Sequence, residues 1–198
     1  MSSFQLPRLG TIENPIKMAV FISGSGSGME ALINYQFQKQ NCFHKTILVL
    51  SNRVNTQGIQ IAKSKKIQTS VIELPKGVSK DQLREHHENL IQAELEKYEI
   101  EVVILSGYMR VLSPKFVNKW MGRLLNIHPS LLPDFPGANA HEDVLKSGVQ
   151  ESGCTVHFVD IGIDTGPIIA QEKVQIFPED TLEELQNRVK EKEHILYP

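Results

Sequence analysis

Short, nearly unbroken apolar runs alternate along this chain with stretches whose apolar residues recur every three or four positions. Residues 17–22 form such a run, as expected of a strand buried on both faces. Beyond it Met29, Leu32, Ile33 and Phe37 fall at helical spacing. The pattern repeats as a strand over 46–50 that ends in Ser51-Asn52, a short helix over 59–65 and a strand over 69–74. A long helix follows over 79–98, with Leu83, Leu90, Ile91, Leu95 and Tyr98 on one side, then a strand over 102–105, a short helix over 114–120 and a strand over 124–127. This alternation predicts an α/β fold, an open and mainly parallel twisted sheet with helices on both faces. Residues 129–137, with three prolines and a glycine, read as loop. Residues 154–159 and 168–176 read as strands added at one edge, antiparallel additions in the C-terminal part. The span 181–193 reads as a closing helix, with Thr181 as N-cap and Glu184 as its capping-box partner. No repeat, low-complexity tract or linker divides the chain, so one domain is expected over 17–198, behind a flexible extension over 1–16.

Composition narrows the class. The 198 residues suffice for one well-buried core. A net charge of −2 with 22% charged residues lacks the one-sided excess of a general nucleic-acid or lipid binder. Two cysteines, Cys42 and Cys154, make no disulfide framework and read as free thiols of a cytoplasmic protein. No apolar run approaches the roughly 20 residues that span a bilayer, and the N-terminus has no signal-peptide core.

Three places carry candidate chemistry. The first is the loop Ser23-Gly24-Ser25-Gly26-Ser27-Gly28 between the first strand and helix. Helix N-termini present unpaired N–H groups to anions, and glycines let an anion approach the backbone. The spacing is neither a dinucleotide fingerprint, since Met29 stands where the third glycine belongs, nor a Walker loop, so a plain flexible turn is the competing reading. The second is Asn126-Ile127-His128 at a strand's carboxyl end, where ligands gather in open α/β sheets. Alternation puts Asn126 and His128 on one face, and an amide donor beside an imidazole suits a carbonyl reaction. The alternative is a histidine that merely bonds a loop carbonyl. The third is Asp164 in Gly162-Ile163-Asp164-Thr165-Gly166-Pro167, where turn chemistry is the alternative. His86 and His87, among Glu85 and Glu88, read as solvated, and His44, His157 and His194 have no partner by spacing. No His/Cys cluster has zinc-site spacing, so no metal is expected.

Longer motifs carry a resemblance. Residues 126–133, Asn-Ile-His-Pro-Ser-Leu-Leu-Pro, followed by Phe135-Pro136-Gly137, resemble the signature of the glycinamide ribonucleotide formyltransferases. Residues 105–114 are similar to that family's folate-binding strand end and loop. Residues 153–159 and 164–168 are similar to its later strands and aspartate loop, and residues 22–27 to its phosphate loop. The match runs in order from about Met18 to Pro198.

The resemblance implies a Rossmann-like formyltransferase fold and formyl transfer from the co-substrate 10-formyltetrahydrofolate to the amine of 5-phosphoribosylglycinamide, in purine synthesis. By the same resemblance Gly26, Ser27 and Gly28 would hold the substrate phosphate, with Lys190 and Glu193 near the ribonucleotide's other end. Arg84, Met109, Arg110, Val111, Leu112, Asn126 and the loop Asp160, Ile161, Gly162, Ile163, Asp164 would bind the folate. Asn126, His128 and Asp164 would be catalytic, with Asp164 favouring an imidazolium at His128. Small molecules would be the partners, not nucleic acid or membrane, with the protein a monomer or homodimer. Relatives usually carry asparagine where this chain has Gly28, which removes one side-chain donor. Asn139 stands where relatives often carry histidine, and relatives continue beyond Pro198 through about another strand. Formyltetrahydrofolate hydrolase and methionyl-tRNA formyltransferase usually carry a second domain, for which 198 residues leave no room. A non-catalytic phosphate-binding module would use the glycine loop alone. Convergence of Asn126, His128 and Asp164 within hydrogen-bond reach would separate enzyme from module.

Overall fold

The computed structural model describes residues 4–198 apart from Lys76 and Val78. The chain runs β1 (Ile16–Ile22), α1 (Ser27–Gln38), β2 (His44–Ser51), α2 (Gln57–Ser64), β3 (Gln68–Val71), α3 (Lys80–Lys97), β4 (Val102–Leu105), α4 (Pro114–Lys119), β5 (Leu124–His128), α5 (Ala140–Ser147), β6 (Glu151–Phe158), β7 (Ile168–Gln175) and α6 (Leu182–Leu196). Seven strands form one mixed sheet in the order β3-β2-β1-β4-β5-β6-β7. β1 to β5 are mutually parallel, and β6 and β7 are added antiparallel. This is the α/β architecture the periodicity predicts.

β1 shows why a continuous apolar run belongs at the centre. Met18 through Ile22 are all buried, and alternation divides them between two cores. Ala19 and Phe21 join Leu48, Leu50, Val103, Leu105 and Leu124 under α3 and α4. Met18, Val20 and Ile22 join Val49, Val102 and Ile104 under α1 and α2. The segment after α6 returns to that second layer, where the buried Tyr197 hydroxyl donates to Leu105 O at 2.6 Å.

The chain fills the sheet outward from β1, first toward β3 and then, through β4, toward β5. The order therefore reverses between β1 and β4. At such a switch point the two following loops part and leave a crevice outside the carboxyl ends of the strands. Here those loops are 23–26 and 106–113.

Four expectations are corrected. Leu90 is 43% exposed, whereas His87 and Glu88 are buried. The inward face of α3 is rotated because two polar residues find partners there: His87 Nε2–H donates to Ile72 O at 2.7 Å, and Glu88 Oε1 accepts the Ser113 N–H at 2.6 Å. Phe37, at the end of α1, is 60% exposed. The edge strand β3 stops at Val71, short of the predicted 74. Helix α5 had no predicted counterpart, although Glu142 and Asp143 in its first turn and left-handed Gly148 after its last are ordinary boundary signals.

The segment before β1 has no helix or strand but touches the domain. Gln5 N–H donates to Met121 O, and the Phe4 ring meets Phe158 edge-on at 5.0 Å. Arg8 grips both oxygens of Glu101 and the carbonyls of Asn14 and Pro15.

Candidate active site

β5 ends at the sheet's carboxyl edge, and Asn126 and His128 emerge there on one face. His128 is buried between two acceptors. Its Nε2–H donates to Phe135 O at 2.8 Å, and its Nδ1 lies 3.3 Å from Asp164 Oδ2. Both ring nitrogens therefore face oxygen acceptors, which fixes the plane and direction of the ring.

The acceptor at Nε2 is fixed by the loop after β5. Ser130 Oγ lies within hydrogen-bond reach of Asp134 O (2.5 Å) and Phe135 O (3.2 Å). Thr155 of β6 donates to Ser130 O at 2.7 Å and accepts from Leu132 N–H at 3.0 Å, and Gln171 of β7 donates to Leu132 O at 2.9 Å. Both antiparallel strands thus tie down the proline-rich segment that faces His128.

Asp164 arrives from the β6–β7 loop with a left-handed backbone, φ 54°. Its Oδ2 accepts the Gly137 N–H at 2.8 Å, and its Oδ1 lies 3.6 Å from His157 Nε2. Burial alone would raise its pKa. The adjacent His157 ring, the Gly137 N–H and the His128 ring outweigh burial and hold the carboxyl below its ordinary value. It is therefore an ionised partner and a poor proton acceptor.

His157 is the member that spacing does not reveal. It faces Asn126 across the β5–β6 pair, with the Asn126 amide nitrogen 3.2 Å from Nε2. Its Nδ1–H donates to Phe158 O at 2.9 Å, which leaves Nε2 to accept from the amide. Asn126 keeps a second N–H for a ligand. The available signal was a histidine between Val156 and Phe158 in a strand; in the structure it is buried, with only 1% exposure. Of the three sequence-predicted residues, His128 and Asp164 meet directly, while Asn126 is linked to Asp164 only through His157.

The residues expected to bind folate lie mainly on the loops after β4 and β6, with Asn126 on β5 and Arg84 on α3. Met109 and Val111 are each 68% exposed, and Ile161 and Ile163 are 67% and 66% exposed. Four large apolar side chains are thus exposed on the two loops that follow β4 and β6. Met109 N–H donates to Ser23 Oγ at 2.8 Å, which ties the 109–112 loop to the end of β1. Asp160 accepts from Gly162 N–H (3.0 Å) and Thr165 Oγ1 (2.7 Å) and so shapes the opposite loop. A side chain at Gly162 would collide with Thr165 Oγ1, 2.0 Å from an added Cβ. Arg84 is exposed on α3.

At the head of α1, Gly26 is left-handed (φ 72°) and caps without a side chain. Its Cβ-less backbone packs on Gly58, whose Cα would lie 2.7 Å from an added Cβ. The first helical N–H to find a partner is that of Glu30, on Gly26 O, so the preceding N–H groups face outward. Helix α6 packs beside α1 and carries exposed Lys190 and half-buried Glu193. Burial pushes the Glu193 carboxyl up to about 7, despite the opposing charge of Lys190. Among the described residues no hydrogen bond reaches it, no group of His, Cys, Asp and Glu is arranged to hold a metal, and no helix is long and apolar enough to cross a membrane.

Residues 16–198 match the family model described as formyl transferase. The chain is 46% identical over 185 residues to the trifunctional purine biosynthetic protein adenosine-3 of Gallus gallus, covering 93% of this chain and 18% of that protein. It thus spans about a fifth of that relative's length. It is 39% identical over 184 residues to the phosphoribosylglycinamide formyltransferase of Escherichia coli, covering 92% of this chain and 84% of the relative. Among solved structures, phosphoribosylglycinamide formyltransferase from Brucella melitensis superposes with a TM-score of 0.85 at 41% identity, over 93% of this chain and 92% of that one.

Proposed function

The chain belongs to the formyl transferase family, and we propose that it transfers the formyl group of 10-formyltetrahydrofolate to the amine of 5-phosphoribosylglycinamide, as a cytoplasmic enzyme of purine synthesis. The observation that carries this reading is the setting of His128, with its ring nitrogens on Phe135 O and Asp164 Oδ2, beside Asn126. A module that only held phosphate would have no use for that cluster.

The chemistry follows from the donors. The substrate amine attacks the formyl carbon, and the carbonyl oxygen gains charge. The free N–H of Asn126 donates to that charge, one such donor contributing roughly 3–4 kcal/mol to a transition state, and the His128 ring, turned from Phe135 O or Asp164 toward the oxyanion, would add a second. Asp164, held ionised, orients the His128 ring through Nδ1 and takes no proton itself. The new C–N bond forms as the bond to the folate nitrogen breaks. The proton leaving the amine passes, through water, to that departing nitrogen, so no covalent enzyme intermediate is needed.

The rest of the molecule supports the two substrates. Gly26, Ser27 and Gly28 offer backbone N–H groups to the phosphate. Glu193, half-buried and without a hydrogen bond among the described residues, suits ribose hydroxyls, with Lys190 nearby. Met109, Arg110, Val111 and Leu112 form one wall for the folate, Asp160, Ile161, Gly162, Ile163 and Asp164 the other, and Arg84 on α3 serves its anionic tail.

The test is an absorbance assay of formyl transfer with both substrates. Turnover is expected, and its absence in the intact protein would overturn the proposal. His128→Ala should lose about 10²–10⁴ in kcat while still binding the phosphate substrate. Near-normal turnover in that variant would remove His128 from the mechanism.

A further inference from the structure

The second residue of α1 is glycine, and its surroundings show what takes the space of a side chain. A Cβ built on Gly28 would stand 2.7 Å from Ser106 Oγ, closer than real Cβ contacts come. A side chain at 28 and the Ser106 hydroxyl therefore compete for one place. Ser106 follows β4 directly and is only 8% exposed. Its backbone N–H is committed to Phe21 O at 2.9 Å, while its hydroxyl makes no hydrogen bond among the described residues. That leaves the hydroxyl free to donate to a ligand. It lies against the first turn of α1, where the N–H groups before Glu30 also lack helical partners. An oxyanion at that turn would satisfy both.

We propose that Ser106 is a ligand of the substrate phosphate, donating its hydroxyl into the mouth of α1 at the place Gly28 leaves open. The family resemblance leads one to expect asparagine at position 28, whose side chain would donate from the helix. Here the donor comes from the end of β4 instead. Gly28 is then a condition for the contact, because any larger residue would push the hydroxyl aside. The inference rests on the reading of residues 26–28 as the phosphate site and adds a residue to it.

Ribose 5-phosphate is the probe, titrated by calorimetry into the whole protein without folate, alongside steady-state KM values for both substrates. Ser106→Ala should weaken ribose 5-phosphate about tenfold, the scale of one hydrogen bond to a charged group. It should leave the folate KM within about twofold, and its melting temperature reports intact folding. Gly28→Asn added to Ser106→Ala should recover most of the lost affinity, since the added Cβ no longer meets a hydroxyl. If wild-type protein does not bind ribose 5-phosphate, the phosphate reading itself fails. If it binds but Ser106→Ala binds equally well, or loses folate affinity in parallel, or the double variant recovers nothing, the assignment of Ser106 is overturned.

Discussion

Asp164 joins more of the site than any other side chain, through Gly137 N–H and the rings of His128 and His157. Replacing it by asparagine keeps the size but puts a neutral amide beside His128 Nδ1. Asp164→Asn should lower kcat by about 10²–10⁴, within the range that a positioned ionisable group contributes, and change both KM values little. Matched kinetics of the variant and wild type check this, and a loss confined to KM would count against it. The sign of its pH linkage is also fixed. A carboxyl held below its ordinary 3.8 adds stability above that value and loses it as pH falls through the lower folded pKa. Activity lost between pH 5 and 6 would therefore not be Asp164 taking a proton. Asn126 and His128 were legible because strand alternation places them together. Asp164 and His157 were not, because only the antiparallel return of β6 and the left-handed turn at 164 bring them across.

At the scale of elements, α3 shows how a polar residue can set a loop. Glu88 lies on its buried face and accepts both the backbone N–H and the hydroxyl of Ser113, the N-cap of α4. Ser23 holds the other end of that connection through Met109 N–H. The segment between them carries Met109 and Val111, exposed toward the expected folate. Glu88→Ala would leave the part-buried Ser113 N–H without its acceptor, at a cost of about 1–3 kcal/mol. The loop would lose one of its two anchors. The folate KM should rise about tenfold with the ribonucleotide KM unchanged, and Glu88→Gln, which keeps one oxygen acceptor, should fall between. Equal movement of both KM values would show a general loss of structure rather than loss of this anchor. Periodicity finds α3 but mistakes its inward face, because it counts Leu90 as core and cannot foresee that Ser113 will satisfy Glu88. The parallel strands were easier to read, since double burial leaves few polar interruptions in them.

At the scale of the whole molecule, the sheet separates two tasks. Its amino edge is fastened by Arg8, Glu101 and the Lys17 N–H, while the carboxyl edge around the β1–β4 switch point collects the polar groups that burial disfavours. Glu193 shows what that collection does to the fold. Its carboxyl, ordinarily near 4.5, is raised to about 7 by burial. Between those values the folded protein holds a proton that the unfolded chain releases, so stability falls as pH rises through this window and levels above it. Each tenfold change in proton affinity between the two states is worth about 1.4 kcal/mol, so the whole domain loses on the order of 3 kcal/mol across the window. Glu193→Gln removes the charge and with it the dependence. Thermal melts at pH 5 and pH 8 should then show the variant gaining several degrees over wild type at pH 8 and little at pH 5. The same variant should bind the ribonucleotide more weakly at both, because an amide replaces the carboxylate that the sugar hydroxyls would face. Equal melting differences at the two pH values would mean that Glu193 carries no buried charge, and the element of the site that destabilises the fold would have to be sought elsewhere.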